Sequence, residues 1–271
     1  MLKFETERIS PSTTRIRAPG LELMYLVEGR DRAALIDTGS GLGSLKACVD
    51  MLTRKPVIVL LTHGHVDHAM GAGEFDTVYM NHADDYIYTA HRDMGFRRDG
   101  LFLCPQPVEE EDILPSKPLG EIRQASGGDS FDLGGLHIEL FDLPGHTRGS
   151  LVMLIREERA LLLGDACNYL TFLHEPYSTT VREYRESLAR VKPQLAGKYD
   201  RVYLSHGLGD GSVELIDGVM AVCDDIMAGK TDDVPFGFKD SRGFLAKAES
   251  ARDVRVDGGI GNVIYSKDRI F

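Results

Sequence analysis

The sequence predicts an α/β or α+β fold built mostly on mixed β-sheet, and two observations support this prediction. The first is a β-α-β unit near the N-terminus, in which two apolar segments, 33–36 and 57–61, flank a helix that starts at its cap Ser44 and has one apolar face. The second is the order of the patterns: strands come first, then helices, then strands and helices again. The metal-binding motifs described below run from residue 37 to residue 206, so we expect a single domain over residues 1–271.

Each element has its own signal. Short apolar or alternating runs bounded by turn residues predict strands at 21–27, 33–36, 57–61, 77–80, 121–125 and 201–204, and hairpins at 131–140, 151–163 and 254–265. Periodic apolar residues predict helices at 44–54, 83–92, 179–195 and 213–227, the second of them with Tyr86, Ile87 and Ala90 buried. The proline-rich segment 95–120 fits a lid over a site and a packed irregular connection equally well.

A histidine-rich loop follows the apolar segment Val57 to Leu61. This segment is typical of a strand buried on both faces, and after it come His63, His65, Asp67 and His68. Residues two apart on an extended segment point to one side, whereas adjacent residues diverge as the chain turns. One loop can therefore serve two neighbouring metal ions, and imidazole with carboxylate suits zinc best, and also iron or manganese.

More distant residues of the same chemistry follow other apolar strands. They are His146, Asp165 and His206, and each lies where a strand gives way to a loop. Such positions are where α/β folds place reacting groups. Asp37 occupies a similar position after the segment 33–36, where it fits either a turn residue or a partner of a ligating histidine.

Taken together, the motif His63-x-His65-x-Asp67-His68 with Asp37, His146, Asp165 and His206 resembles the metallo-β-lactamase superfamily of hydrolases. The resemblance implies a four-layer αβ/βα sandwich of two mixed sheets flanked by helices. It further implies that His63, His65 and His146 hold one metal ion, that Asp67, His68 and His206 hold a second, and that Asp165 bridges them. Asp67 would also handle a proton as a catalytic residue, and Asp37 would hydrogen-bond a ligating histidine.

The resemblance also restricts the class of reaction that we expect. Antibiotic-cleaving members lack a bridging aspartate, so Asp165 makes the chain similar to glyoxalase II and the lactonases. It implies a dinuclear, zinc-dependent hydrolase that uses a bridging hydroxide on a small ester, thioester or lactone. A mononuclear iron persulfide dioxygenase and a phosphodiesterase or nuclease remain alternatives. Asn168, Tyr169 and His174 are candidates to contact the substrate, although a structural role fits each of them as well.

The composition of the chain restricts the binding partners and the cellular compartment that we expect. The net charge of −11 disfavours a nucleic-acid surface, which is normally basic, and no segment is apolar and long enough for a membrane span. The four cysteines are widely spaced and the N-terminus lacks an apolar signal core, which favours a reducing cytoplasm. We expect a small-molecule substrate, and the oligomeric state stays open, with a homodimer among the alternatives.

Overall fold

The computed structural model describes residues 2–101, 104–238, 241–251 and 253–271. The α-helices of the described residues are α1 (Leu45–Leu52), α2 (Val66–Ala69), α3 (Asp85–His91), α4 (Met94–Asp99), α5 (Val181–Leu195) and α6 (Leu215–Met227). The strands are β1 (Glu5–Arg8), β2 (Thr13–Arg17), β3 (Leu23–Glu28), β4 (Ala33–Ile36), β5 (Val57–Leu60), β6 (Thr77–Met80), β7 (Arg123–Gln124), β8 (Ser130–Asp132), β9 (His137–Asp142), β10 (Leu151–Ile155), β11 (Ala160–Leu162), β12 (Thr171–Phe172), β13 (Arg201–Tyr203), β14 (Asp210–Gly211), β15 (Val234–Phe238), β16 (Ser241–Leu245), β17 (Glu249–Ala251), β18 (Val254–Arg255) and β19 (Val263–Tyr265). None of these helices has both the length and the apolar character that crossing a membrane requires.

Two mixed sheets form the centre of the molecule. The described strands make a seven-stranded sheet in the order β1-β2-β3-β4-β5-β6-β7 and a six-stranded sheet in the order β14-β13-β11-β10-β9-β8. Strands β4, β5, β6 and β7 run parallel to one another, whereas β1 to β4 and β8 to β11 pair antiparallel. A third sheet, β12-β19-β16-β15, and the hairpin β17-β18 hold most of the C-terminal strands.

Alternation along the strands produces the layers. In β3, Tyr25 and Val27 pack in the apolar layer between the two large sheets, and Leu26 faces the helix side. The outer face of the seven-stranded sheet packs against α1, and the outer face of the six-stranded sheet packs against α5 and α6. Because the side-chain period of a strand is two, each large sheet can bury both faces in this way. The predicted four-layer αβ/βα sandwich is confirmed.

The helix α3 corrects one prediction about burial. Its buried side chains are Ile87 and Tyr88, whereas Tyr86 is 77% exposed and Ala90 is exposed as well. The preceding turn is a short 3₁₀ segment (His82–Asp84), so the α-helix begins at Asp85 and not at residue 83. The phenol of Tyr88 reaches inward and donates to the carbonyl of Lys117 at 2.7 Å.

The strand pairing near the C-terminus corrects a second prediction, the hairpin at 254–265. The segment 254–265 is not a hairpin, because β18 pairs with β17 while β19 pairs with β12 and β16. The strands β1 and β15 were not predicted either. Strand β1 is polar and fully exposed at a sheet edge, and β15 is largely exposed, so neither carries the apolar alternation of a half-buried strand.

The segment 95–120 begins within α4, and the rest of its described part is a connection with only short 3₁₀ turns; Phe102 and Leu103 lie outside the described residues. The guanidinium of Arg97, at the centre of this packing, donates to the carbonyls of Leu114 at 2.7 Å and Ser40 at 2.9 Å. Nearby, Leu2, Leu42 and Ile113 form a small apolar cluster.

Candidate metal centre

The candidate site lies where strands of both large sheets end. His63 and His65 follow β5 of the seven-stranded sheet. His146 follows β9, Asp165 follows β11 and His206 follows β13, all in the six-stranded sheet. The two sheets therefore each contribute part of the site, and neither could form it alone.

Three buried imidazoles form the first cluster. The Nε2 atoms of His63 and His146 each lie 3.0 Å from Nδ1 of His65. Burial, together with the neighbouring histidines, lowers the pKa of His63 and His65 well below the usual value. Neutral imidazoles offer lone pairs, so this cluster has the chemistry of a nitrogen-ligated metal site.

Two carboxylates and two imidazoles form the second cluster: Asp67, His68, Asp165 and His206. The Oδ2 atom of Asp165 lies 3.1 Å from Nε2 of His206, 3.4 Å from Nε2 of His68 and 4.0 Å from Nε2 of His146 in the first cluster. Asp165 is therefore within reach of both clusters. The buried Nε2 of His68 has no hydrogen-bond partner among the described residues, which fits a nitrogen reserved for a metal ion.

Opposite charges dominate the electrostatics of the second cluster. Burial opposes the charged form of His206, yet the carboxylates of Asp165 and Asp67 outweigh it and raise the pKa of His206 to about 9. Burial raises the pKa of Asp165, but His206 and His68 outweigh it and lower that pKa well below its usual range. The carboxylates likewise outweigh burial and raise the pKa of His68, so the cluster favours positive charge at positions where a divalent cation would supply it.

Buried hydrogen-bond partners hold two of the candidate ligand rings in place. Asp37 accepts hydrogen bonds from His68 Nδ1 at 2.8 Å and from the backbone N–H of Thr62 at 2.7 Å, and it therefore lies behind a candidate ligand. The Nδ1 of His146 donates to the carbonyl of Phe172 at 2.9 Å. Such partners select one ring tautomer and leave the other nitrogen to face the site.

The three candidate substrate contacts have different surroundings. Asn168 lies beside the second cluster, with its Nδ2 3.5 Å from Oδ1 of Asp165. The hydroxyl of Tyr169 accepts from the backbone N–H of Ser212 at 3.1 Å, and its ring packs against the helix-side core. His174 is buried between the rings of Phe172 and Phe236, and its ring nitrogens make no hydrogen bond with the described residues.

Sequence reasoning missed three residues at the site. The ring of His91 stacks on that of His65 with centroids 5.0 Å apart, and its Nδ1 accepts from the backbone N–H of Val66 at 3.1 Å. Tyr177 packs edge-to-face on His65 with centroids 5.1 Å apart. Asp84 is buried between two ligand loops. No local pattern marks these residues, since each reaches the site only through the packing of distant segments.

Comparison with known proteins places this geometry in a family. The family model described as metallo-beta-lactamase superfamily matches residues 17–206. Acyl-coenzyme A thioesterase MBLAC2 of Bos taurus is 27% identical over 165 residues, which are 52% of this chain and 57% of the relative. An uncharacterized protein of Mycobacterium bovis is 33% identical over 126 residues, 45% of this chain and 54% of its own. The chain thus spans about half the length of the curated relatives it matches.

A solved structure shows the same fold. A metallo-beta-lactamase from Pontibacter korlensis superposes with a TM-score of 0.57 at 16% identity, covering 81% of this chain and 98% of that one. At this identity the similarity concerns the fold and not the substrate.

Proposed function

Because the chain belongs to the metallo-beta-lactamase superfamily, as its motifs predicted, we propose that it is a metal-dependent hydrolase with two divalent ions, foremost zinc, that cleaves a small ester, thioester or lactone. One observation carries the proposal: the two ligand clusters meet at Asp165, whose Oδ2 is close to His206, His68 and His146. A carboxylate in that position can join two metal ions at the short separation typical of dinuclear hydrolases.

The residues of this chain have separate tasks in such a reaction. His63, His65 and His146 would hold one ion, and Asp67, His68 and His206 the other. When bound, two such ions supply Lewis acidity, which lowers the pKa of a water molecule towards about 7 and polarises a carbonyl oxygen. Asp67 is the candidate to accept the proton of the attacking water, since its partly exposed side chain belongs to the second cluster. Asp37 holds His68 in the ligating orientation.

Among the three substrate classes, a thioester is the first to test. The support is the thioesterase relative, whose name states acyl-coenzyme A as its substrate. That relative is 27% identical over 165 residues, which are 52% of this chain. The substrate panel therefore has to vary both the acyl group and the thiol that carries it.

The test combines metal content with a substrate panel. We expect about two zinc or manganese ions per chain by elemental mass spectrometry, together with thiol release from acyl-coenzyme A or hydrolysis of an aryl ester or acyl-homoserine lactone. The His63→Ala variant should lose both metal and activity, whereas His82→Ala, whose ring pairs with Asp85 outside the clusters, should keep both. One iron per chain with oxygen uptake on a persulfide would replace the proposal with the dioxygenase alternative, and cleavage of nucleic acid would replace it with the nuclease.

A further inference from the structure

We propose that Tyr177 is a catalytic residue that donates a hydrogen bond to the substrate's carbonyl oxygen as that oxygen becomes negatively charged. This inference rests on the proposed hydrolysis of an ester, thioester or lactone. It assigns to Tyr177 a task that no sequence motif of the chain marks.

The position of the ring is the first support. Tyr177 packs edge-to-face on His65 of the first cluster with centroids 5.1 Å apart. Its phenol also lies close enough to Asp67 of the second cluster for the two to interact electrostatically. The side chain therefore packs directly against the first cluster, and a carboxylate of the second cluster is near enough to act on it through its charge.

The phenol is the second support. The side chain of Tyr177 is partly exposed, and no hydrogen bond joins its hydroxyl to a described residue. The hydroxyl is not among the enclosed side-chain atoms of the described residues that lack a partner, so a ligand oxygen can reach it. A tyrosine hydroxyl is ordinarily protonated at neutral pH, and it can therefore donate a hydrogen bond to such an oxygen.

The backbone around Tyr177 is the third support, because it is fixed to the loop of a candidate ligand. The hydroxyl of Ser178 donates to the carbonyl of His146 at 2.8 Å, and the N–H of Thr179 donates to the carbonyl of Gly145 at 2.9 Å. Helix α5 begins directly afterwards with a capping box between Thr180 and Glu183. A donor held in advance needs no reorganisation during the reaction, which is what makes such groups effective.

A competing assignment is available in Tyr169, but its surroundings differ. Its hydroxyl is already occupied by the backbone N–H of Ser212, and its ring belongs to the helix-side core. Moving it to the clusters would break that hydrogen bond and expose apolar surface. Tyr177 needs no such rearrangement.

The chemical step balances without proton loss from Tyr177. A hydroxide derived from water forms a bond to the carbonyl carbon, and the π-electron pair of the C=O moves onto oxygen, where it accepts the phenol's hydrogen bond. The pair then re-forms the C=O while the C–S or C–O bond breaks and its electrons leave with the thiolate or alkoxide. The leaving group takes the proton that Asp67 accepted from water, and the carboxylic acid product ionises to solvent.

The experiment compares Tyr177→Phe with wild type in the metal-loaded full chain. We expect unchanged metal content and melting temperature, kcat lower by about 10- to 100-fold with KM within about twofold, since a donor of this kind acts on the transition state. Butylphosphonate, a tetrahedral anion, should bind the variant about tenfold more weakly by calorimetry. Tyr86→Phe is the matched control, because Tyr86 is exposed on α3, and it should equal wild type in each measurement.

The outcomes separate this inference from the proposed function. An active wild type with Tyr177→Phe at half its kcat or better, or a loss confined to Tyr169→Phe, would overturn the role of Tyr177 and leave the hydrolase intact. A wild type that holds two metal ions yet cleaves no ester, thioester or lactone would overturn the proposed function. In that case the phosphonate affinity decides: equal binding by wild type and Tyr177→Phe rejects the donor role, and weaker binding by the variant supports it.

Discussion

At the scale of single residues, the site depends on carboxylates that serve several partners at once. Asp37 adopts a left-handed backbone conformation with φ of +61°, which is uncommon for a residue with a side chain. Its carboxylate accepts from the backbone N–H and hydroxyl of Thr62 and from His68 Nδ1, and these three hydrogen bonds compensate for the backbone conformation. Asp165 also has several partners, since its Oδ2 lies near ring nitrogens of both clusters.

The first prediction concerns Asp165. Its Oδ2 lies near nitrogens of both clusters, so Asp165→Ala should lose at least one metal ion per chain. Elemental mass spectrometry of the purified variant measures this directly. His137→Ala is a suitable control, because His137 pairs with Glu157 on the surface and should leave metal content unchanged. Full metal retention together with full activity would contradict the dinuclear proposal.

At the scale of elements, the loops that carry the first cluster are joined by one buried side chain. Asp84, which precedes α3, accepts from the N–H of Gly64 at 3.0 Å, from the hydroxyl of Thr147 at 2.7 Å and from the N–H of Gly149 at 2.7 Å. Gly64 lies between two candidate ligands, and Thr147 follows the third. Burial raises the pKa of this carboxyl, although the three donors oppose it.

Asp84→Ala should therefore weaken both the fold and the first metal cluster. Three buried donors would lose their acceptor, and we expect the free energy of unfolding to fall by about 2 to 4 kcal/mol. Urea denaturation measures this loss, and metal titration should show weaker binding. Asp85→Ala is the matched control, since Asp85 pairs with His82 near the surface, and it should change stability by no more than about 0.5 kcal/mol. Equal effects of the two variants would disprove the linking role of Asp84.

The hairpin turn between β10 and β11 predicts a pH dependence. Glu157 accepts from the backbone N–H of His137 at 2.7 Å and from the guanidinium of Arg156. Burial raises the pKa of Glu157, but these hydrogen bonds outweigh it and lower the pKa to about 2. The unfolded chain binds its proton nearer pH 4.5, so this stabilisation is present above that pH and is lost as the pH falls towards 2.

Urea midpoints between pH 5 and pH 2.5 test this dependence. Glu157→Gln should be less stable than wild type at neutral pH, and its midpoint should fall less steeply on acidification. Glu186→Gln on the exposed face of α5 should follow the wild-type curve. Parallel curves for wild type and Glu157→Gln would show that Glu157 does not contribute to the loss of stability at low pH.

At the scale of the whole molecule, the candidate metal centre joins the two sheets. Each cluster combines residues that follow β5 in the seven-stranded sheet with residues that follow strands of the six-stranded sheet. Ions bound in both clusters would cross-link the sandwich along one edge, and the native state alone would hold them. Metal binding is then linked to folding by mass action.

Chelation should accordingly lower the melting temperature. With ions at about a thousandfold above their dissociation constants, the stabilisation is about 4 kcal/mol, and its loss corresponds to about 10 °C for a chain of this size. Calorimetry before and after chelator dialysis measures the shift, and added zinc should reverse it. A chelator that removes the ions without moving the transition would show that they do not connect the sheets.

The sequence by itself determined the superfamily, the sandwich class and most strand positions. The candidate ligands, all histidines and aspartates, lie in short local motifs after apolar strands, and period-two burial produces a recognisable pattern in the central strands. Polar edge strands such as β1 and the pairing of β19 carry no such pattern, so they were missed or misassigned.

Only the tertiary structure decided which other residues reach the site. Tyr177 and His91 come to His65 from segments far away in the chain, and Asp84 connects loops that are about 80 residues apart. A phenol or carboxylate acquires such a role through the groups packed around it and not through its neighbours in sequence. Local chemistry therefore identifies the candidate metal ligands, whereas the packing of the two sheets decides what surrounds them.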